Sequence, residues 1–389
     1  MLVTKDTAAS PRQKLEWLQA LRGVAALMVL FFHMTPYWKD LPVLGTFSSA
    51  MHFGFAGVDV FFVLSGFVVY ASARQCVGLR EVSDFVKRRM LRIYMGYWPV
   101  LLVFAAVPWI VKGAEGLSWE RVLRSVFLLY PNISDNWVPT AWSLTYELFF
   151  YAWLALVSLC AGPAVRLRVV AALLAVVVAW NTVWLMAASG TMLMGQQPLR
   201  FGLTGYAAEF LAGALVFEWY ARYSSARVDP WVVLPACGAV VLLGFAVGST
   251  SPYFDRVEIM RAGSYGVAAI GFLGTALALQ RQAVRAPLWL VRIGDASFSV
   301  YLIHIFLLSG LGYVRYTYLG GGTTLGSTLF AASYPVLIVL IGWLWYRGVE
   351  LPLMRWTTPP RAGAAASAGQ WRTRWVGAVA RFGKAGGSP

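Results

Sequence analysis

Ten apolar runs, most of them close to twenty residues long, dominate this chain and leave it few ways to fold. They cover residues 21–37, 53–73, 94–111, 137–160, 169–189, 199–219, 231–248, 263–280, 297–314 and 325–346. A helix needs about 20 apolar residues to cross the hydrocarbon layer of a bilayer. Inside that layer every backbone N–H and C=O must be satisfied within the protein, which leaves helices and closed barrels. The runs lack the ten-residue alternation of barrel strands, so the sequence predicts an all-α polytopic membrane protein with about ten transmembrane helices. Composition agrees: 59% of the 389 residues are hydrophobic and 13% are charged. Soluble domains sit near half apolar and a quarter charged, so a soluble enzyme, a disordered chain and a disulfide scaffold are all excluded.

The basic balance of 32 Lys and Arg against 17 Asp and Glu is spread over short loops, which suits topology signals and anionic lipid rather than nucleic acid. An even number of spans puts both termini on one side. The loops and tails of that side hold 23 of the 32 cations, against seven on the other. The positive-inside rule then makes both termini cytoplasmic. The expected organisation is a cytoplasmic tail over 1–20, a membrane domain over 21–350 and a basic cytoplasmic tail over 351–389. Within that last tail, 371–382 can form a short basic amphipathic helix. The outer 112–136 loop carries apolar residues at helical spacing and is expected to lie along the membrane surface. Cys76, Cys160 and Cys237 are scattered, with no spacing for zinc or a disulfide framework. No signal fixes an oligomeric state.

Ionisable residues inside spans are costly and mark functional candidates. Here they are His33, Asp59, Glu147, Glu209 and His304, with Arg22, Arg200 and Glu218 nearer span ends. Arg22 and His33 are eleven residues apart, about 16 Å along a helix, and eleven steps of about 100° bring both side chains to one face. That geometry suits a ligand whose anionic part stays at the cytoplasmic mouth while its reactive end reaches inward. Glu147 reaches a similar depth in span four, with Ser143 one turn earlier on the same face. A buried carboxylate needs a partner. His33 is one, leaving a tautomer-fixed imidazole as general base, and an ion pair with Arg22 or Arg200 is the other. Arg88, Arg89 and Arg92 form a dense cationic patch that fits phosphate or serves as a topology signal. Ser297, Tyr301 and His304 share one face of span nine, as expected for interhelical hydrogen bonding. Asp59 is either a helix-packing acid or part of an outward-facing pocket. No phosphate-binding loop, HExxH motif or Cys/His cluster occurs, so no metal is expected. Group transfer through the membrane and proton-coupled transport remain.

Several segments in order resemble the acyltransferase type 3 family. LEWLQALRGVAALMVLFFHM, with Arg22 and His33 separated by ten residues, resembles that family's opening. FGFAGVDVFFVLSGFVVY at 53–70 is similar to its second-span motif. RRMLRIY at 88–94 is similar to its RxxR element, mapping to Arg89 and Arg92. AWSLTYELFFY at 141–151 resembles its fourth-span segment, mapping to Trp142, Ser143 and Glu147. SFSVYLIH at 297–304 and VELP at 349–352 complete a pattern over roughly 15–355. The resemblance implies a bacterial inner-membrane enzyme that moves an acyl group, usually acetyl, from cytoplasmic acyl-CoA to a hydroxyl. The acceptor is typically a glycan or glycolipid, or sometimes a small natural product. It further implies that Arg22, Arg89 and Arg92, with Arg88 beside them, hold the coenzyme A phosphates. His33 would be base or acyl carrier, and Glu147 would orient it. Trp142, Ser143, Asp59, Tyr301 and His304 would support the site. SFSVYLIH departs mildly from the family's usual SYSLYLWH. The 43 residues from 347 to 389 are too few for the extracytoplasmic hydrolase-like domain that some members carry.

Overall fold

The computed structural model describes residues 15–112, 118–129, 136–187, 201–222, 229–250 and 258–357, and among them it contains helices and no strand. The first half of the chain forms α1 (Glu16–Trp38), α2 (Pro42–Ala50), α3 (Gly57–Ala73), α4 (Leu79–Lys112), α5 (Trp119–Phe127), α6 (Trp142–Cys160) and α7 (Pro163–Ala187). The second half forms α8 (Gly205–Arg222), α9 (Pro230–Thr250), α10 (Glu258–Arg261), α11 (Val267–Arg281), α12 (Leu288–Asp295) and α13 (Ser297–Tyr318). α14 (Leu325–Ala332), α15 (Tyr334–Trp345) and α16 (Leu351–Thr357) close the described chain. π-helical turns at Ala262–Gly266 and Tyr346–Glu350 join α10 to α11 and α15 to α16.

The described part of each of the ten expected spans is mainly helical. Proline sits at the first position of α2, α7 and α9, where its missing N–H costs nothing. Among the described residues, seven helical stretches are both long and apolar enough to cross a membrane. They include α1, α6, α13, the continuous path from Val43 to Ala73, and the bent path from Leu325 to Thr357. The expected spans 94–111, 199–219 and 231–248 lie on α4, α8 and α9, which fall short of that standard. α4 spends its first half on the basic 79–93 sequence, and α8 buries Glu209 and Glu218. Residues 188–189, 199–200 and the 371–382 segment lie outside the described residues. Within the expected amphipathic 112–136 segment, 119–127 is helical: α5 exposes Trp119, Leu123 and Phe127 along one side.

Two kinds of contact hold the helices in register around the site. The first is close backbone approach. A Cβ on Gly66 of α3 would lie 1.9 Å from the Phe210 carbonyl oxygen, and one on Gly213 of α8 would lie 2.0 Å from that of Val63. Small residues let membrane helices pack backbone to backbone where lipid tails give no hydrophobic drive. Beside this crossing, Phe62, Tyr146, Phe150, Tyr206 and Phe210 form an aromatic core, with Phe150 stacked on Phe210 at 4.7 Å. The second kind is a buried arginine that gathers carbonyls. Arg166, 2% exposed, donates to the carbonyl oxygens of Ala73, Arg74, Cys76, Ser158 and Ala161. It thereby satisfies the orphan C=O groups where α3 and α6 end, which no helix can bond internally.

Candidate active site

α1 runs unbroken through Arg22 and His33, so the shared face read from their spacing is real. α13 lies beside it, and the two helices meet at two levels. At the lower level the Arg22 Nε donates to Ser297 Oγ at 3.2 Å. At the upper level the His304 Nε2 lies 3.3 Å from the His33 Nδ1, with ring centroids 4.9 Å apart. Each imidazole also faces a carbonyl of its own helix. His33 Nδ1 is 2.9 Å from the Val29 oxygen, and His304 Nδ1 is 2.6 Å from the Tyr301 oxygen. The spacing at Ser297 and His304 did predict interhelical hydrogen bonds. That both would end on the Arg22–His33 face was not legible.

A cluster of cations approaches Arg22 from α4. Arg92 acts on Arg22 electrostatically, as do the carboxylates of Glu147, Glu350 and Asp295. Arg89 donates from Nη2 to Ser72 Oγ at 2.9 Å and lies 5.9 Å from the ring centroids of Phe85 and Tyr151. Its charged neighbours are Arg92, Glu147 and Arg88. Arg88 itself is exposed, one helical step away from the face that Arg89 and Arg92 share. Arg22, Arg89, Arg92, His33 and Glu147 all keep part of their surface accessible, whereas Ser297, Ser299, His304 and Glu350 are buried. The accessible groups are the ones equipped to meet a ligand, and the buried ones hold them.

Glu147 takes a different partner from the His33 expected of it. Its Oε1 accepts from Ser65 Oγ of α3 at 2.7 Å, and its charge falls on Arg22, Arg89 and Tyr301. Packing of α6 on α3 gives it Ser65, while the Nδ1 of His33 faces Val29 and His304. The alternative partner Arg200 lies outside the described residues. Ser143 accepts from the Tyr301 hydroxyl at 3.0 Å and itself donates to the Thr140 carbonyl at 3.1 Å, a lock between α6 and α13. Trp142 packs into the aromatic core against Tyr206 and Tyr146.

Asp59 resolves as a helix-packing acid. It is fully buried and meets Arg261 twice, Nε to Oδ1 at 2.9 Å and Nη2 to Oδ2 at 2.6 Å. Glu218 is likewise structural, accepting from Tyr70 at 3.0 Å and from Arg74 at 2.6 Å. Sequence reading overlooked Glu350. It sits on the π-helical turn after α15, accepts from Ser299 Oγ and adds its charge beside Arg22. The signal available for it was a lone acid at the end of the last span, in VELP. Among the described residues no group of three or more His, Cys, Asp or Glu is placed to hold a metal ion.

A family model described as an acyltransferase domain, that of the acyltransferase 3 family, matches residues 15–358. The chain belongs to this family. It is a multi-pass membrane acyltransferase, and the proton-coupled transporter left open by the sequence gives way to it. Relatives agree. The exopolysaccharide production protein ExoZ of Rhizobium meliloti is 34% identical over 314 residues, 78% of this chain and 90% of its own. The acyltransferase MdmB of Streptomyces mycarofaciens is 27% identical over 386 residues, 88% of this chain and 92% of its own. The peptidoglycan O-acetyltransferase OatA of Listeria monocytogenes is 23% identical over 335 residues, 77% of this chain and half of its own. No solved structure matches the acyltransferase.

Proposed function

We propose that this acyltransferase moves an acyl group, acetyl in the simplest case, from cytoplasmic acyl-CoA to a hydroxyl of a glycan or glycolipid such as an O-antigen or exopolysaccharide. It would do so in a bacterial inner membrane, with both termini cytoplasmic as the loop cations indicate. The observation that carries the reading is one partly accessible face of α1. It presents Arg22 beside Arg92 at the cytoplasmic level and a paired His33 three turns deeper. Arg22, Arg89 and Arg92 are the groups to hold the donor's phosphates, since guanidinium forks match phosphate oxygens and form charge-assisted bonds. The pantetheine arm then extends along α1 and delivers the thioester to His33.

His33 takes the proton of the acceptor hydroxyl as its oxygen attacks the thioester carbonyl. The C–S bond breaks, and the departing thiolate takes the proton back from the imidazole as the ester forms. If His33 instead carries the acyl group, its bare nitrogen attacks the thioester carbonyl as the C–S bond breaks. The acceptor oxygen then attacks the acyl-imidazole as the C–N bond breaks and the hydroxyl proton passes to the released imidazole. Rapid denaturation near neutral pH without acceptor then leaves the donor's labelled acyl group on the protein. Thioesters are already activated, so positioning and one well-placed base supply most of the acceleration.

The test is coenzyme A release by the purified protein in detergent, with and without acceptor, for wild type and His33→Ala. General acid–base catalysis contributes about 10²–10⁴-fold, so the variant is expected to lose at least a hundredfold of turnover while still binding acyl-CoA. Retention of more than about a tenth of turnover defeats the assignment of His33. Mass spectrometry of surface glycans from cells with and without the gene then names the acceptor. The same release assay, with small hydroxylated natural products offered as acceptors, tests the second acceptor class that the family resemblance implies.

A further inference from the structure

The geometry points to His304 as the residue that, together with the Val29 carbonyl, holds the tautomer of His33 and shares the positive charge His33 gains during transfer, the role sequence reading gave to Glu147. The inference rests on His33 being the reacting imidazole. Backbone carbonyls only accept hydrogen bonds. The Nδ1 of His304 lies 2.6 Å from the Tyr301 oxygen, so that nitrogen carries the proton and Nε2 is left with a lone pair. The Nδ1 of His33 lies 2.9 Å from the Val29 oxygen, so it too carries a proton. This N–H has a second acceptor in the lone pair of the His304 Nε2, 3.3 Å away.

Two acceptors on one Nδ1–H leave the Nε2 of His33 as the bare nitrogen. When Nε2 takes a proton or an acyl group, the ring becomes cationic and its Nδ1–H a stronger donor. The Val29 and His304 acceptors then stabilise that cation, as a carboxylate does for the histidine of a hydrolase triad. A neutral imidazole does this without placing a charge of its own in the membrane. His304 is 1% exposed, so it is a positioning residue with no path to either substrate. Its anchor is also fixed: Tyr301 is tied to Ser143 at 3.0 Å, which holds the start of that helical turn against α6.

The test compares His304→Gln with His304→Leu in the full-length purified protein, alongside His33→Ala. The two side chains are similar in size, but only the glutamine oxygen can accept from His33. Leucine is expected to lower kcat about tenfold to a hundredfold with the KM for acyl-CoA within twofold, and glutamine to recover at least part of that loss at the same melting temperature. Equal kcat for the two variants, a loss that appears in KM, or leucine turnover above a third of wild type overturns the proposal. Nitrogen-15 NMR of the wild-type protein labelled at histidine gives a reading that does not depend on how these variants fold. The chain has three histidines, so the His33 resonance is identified by its loss in His33→Ala. A protonated Nδ1 and bare Nε2 on His33 are expected, and the opposite tautomer overturns the inference. If His33→Ala itself stays active, the proposed function fails. If His33→Ala is inactive while His304→Leu is not, this inference alone fails.

Discussion

Gly294→Ala should couple helix packing to donor binding in a way that can be measured. α12 crosses α1 so closely that a Cβ on Gly294 would lie 1.8 Å from the Gln19 carbonyl oxygen and 2.6 Å from its carbon. The reciprocal glycine, Gly23, sits 2.5 Å by the same measure from the Leu290 carbonyl. Real Cβ atoms do not approach closer than 3.0 Å, so the two backbones must separate by at least 1.2 Å, the difference between 3.0 and 1.8. Neither contact is the end of a flexible side chain, and the strain cannot be absorbed locally. Overpacking of this kind costs about 1–3 kcal/mol. The displacement also reaches the site, because α12 passes through Ala296 directly into Ser297. The Arg22–Ser297 bond is already 3.2 Å long, and a further 1.2 Å breaks it. A hydrogen bond to a charged group is worth about 1.5–3 kcal/mol, and each 1.4 kcal/mol is about tenfold in affinity. Gly294→Ala is therefore expected to lower the melting temperature in detergent and raise the KM for acyl-CoA about tenfold, with kcat changed less. Gly310→Ala on α13 is the control, since nothing lies within 4 Å of the added methyl group. An unchanged melting temperature together with a KM within twofold of wild type would show that the α1–α12 crossing does not position Arg22.

Replacing Arg89 and Arg92 together by Ala should weaken acyl-CoA binding far more than that of dephosphorylated or truncated donors, because each charge-assisted bond to a phosphate is worth about 1.5–3 kcal/mol. Equal weakening of all donors in a KM series points to impaired folding instead. Asp59→Asn leaves the buried Arg261 without its counter-charge, and breaking one side of such a pair costs about 3–5 kcal/mol. Thermal unfolding should show that loss, and a leucine–methionine replacement of both partners should recover most of it; a double variant no more stable than Asp59→Asn contradicts the reading. Cys160 is exposed at the end of α6, whereas Cys76 is buried after α3 and burial pushes its thiol pKa up. A membrane-impermeant maleimide should label Cys160 first and only in inverted vesicles, and labelling in intact cells would reverse the proposed topology.

Hydropathy alone located the long apolar helices, though not the short α2, α10, α12 and α16. A run of about twenty apolar residues has one low-energy fate in a bilayer, and that fate needs no knowledge of the neighbours. Helical period likewise placed Arg22 with His33, and Ser297 with His304, because angles along one helix are set by the backbone itself. The partner of each group was another matter. His304 lies 271 positions from His33, and nothing in either segment states the rotation at which α13 meets α1. The sequence left Glu147 two arginines and an imidazole to choose from, and the packing of α6 on α3 gave it Ser65. Arg166 read as a loop cation, yet five carbonyl oxygens from two helix ends converge on it. Each of these outcomes depends on how closely two helices approach and how they are turned. Close contacts such as Gly66 on Phe210 and Gly23 on Leu290 set that approach, and they exist only once the whole chain has packed.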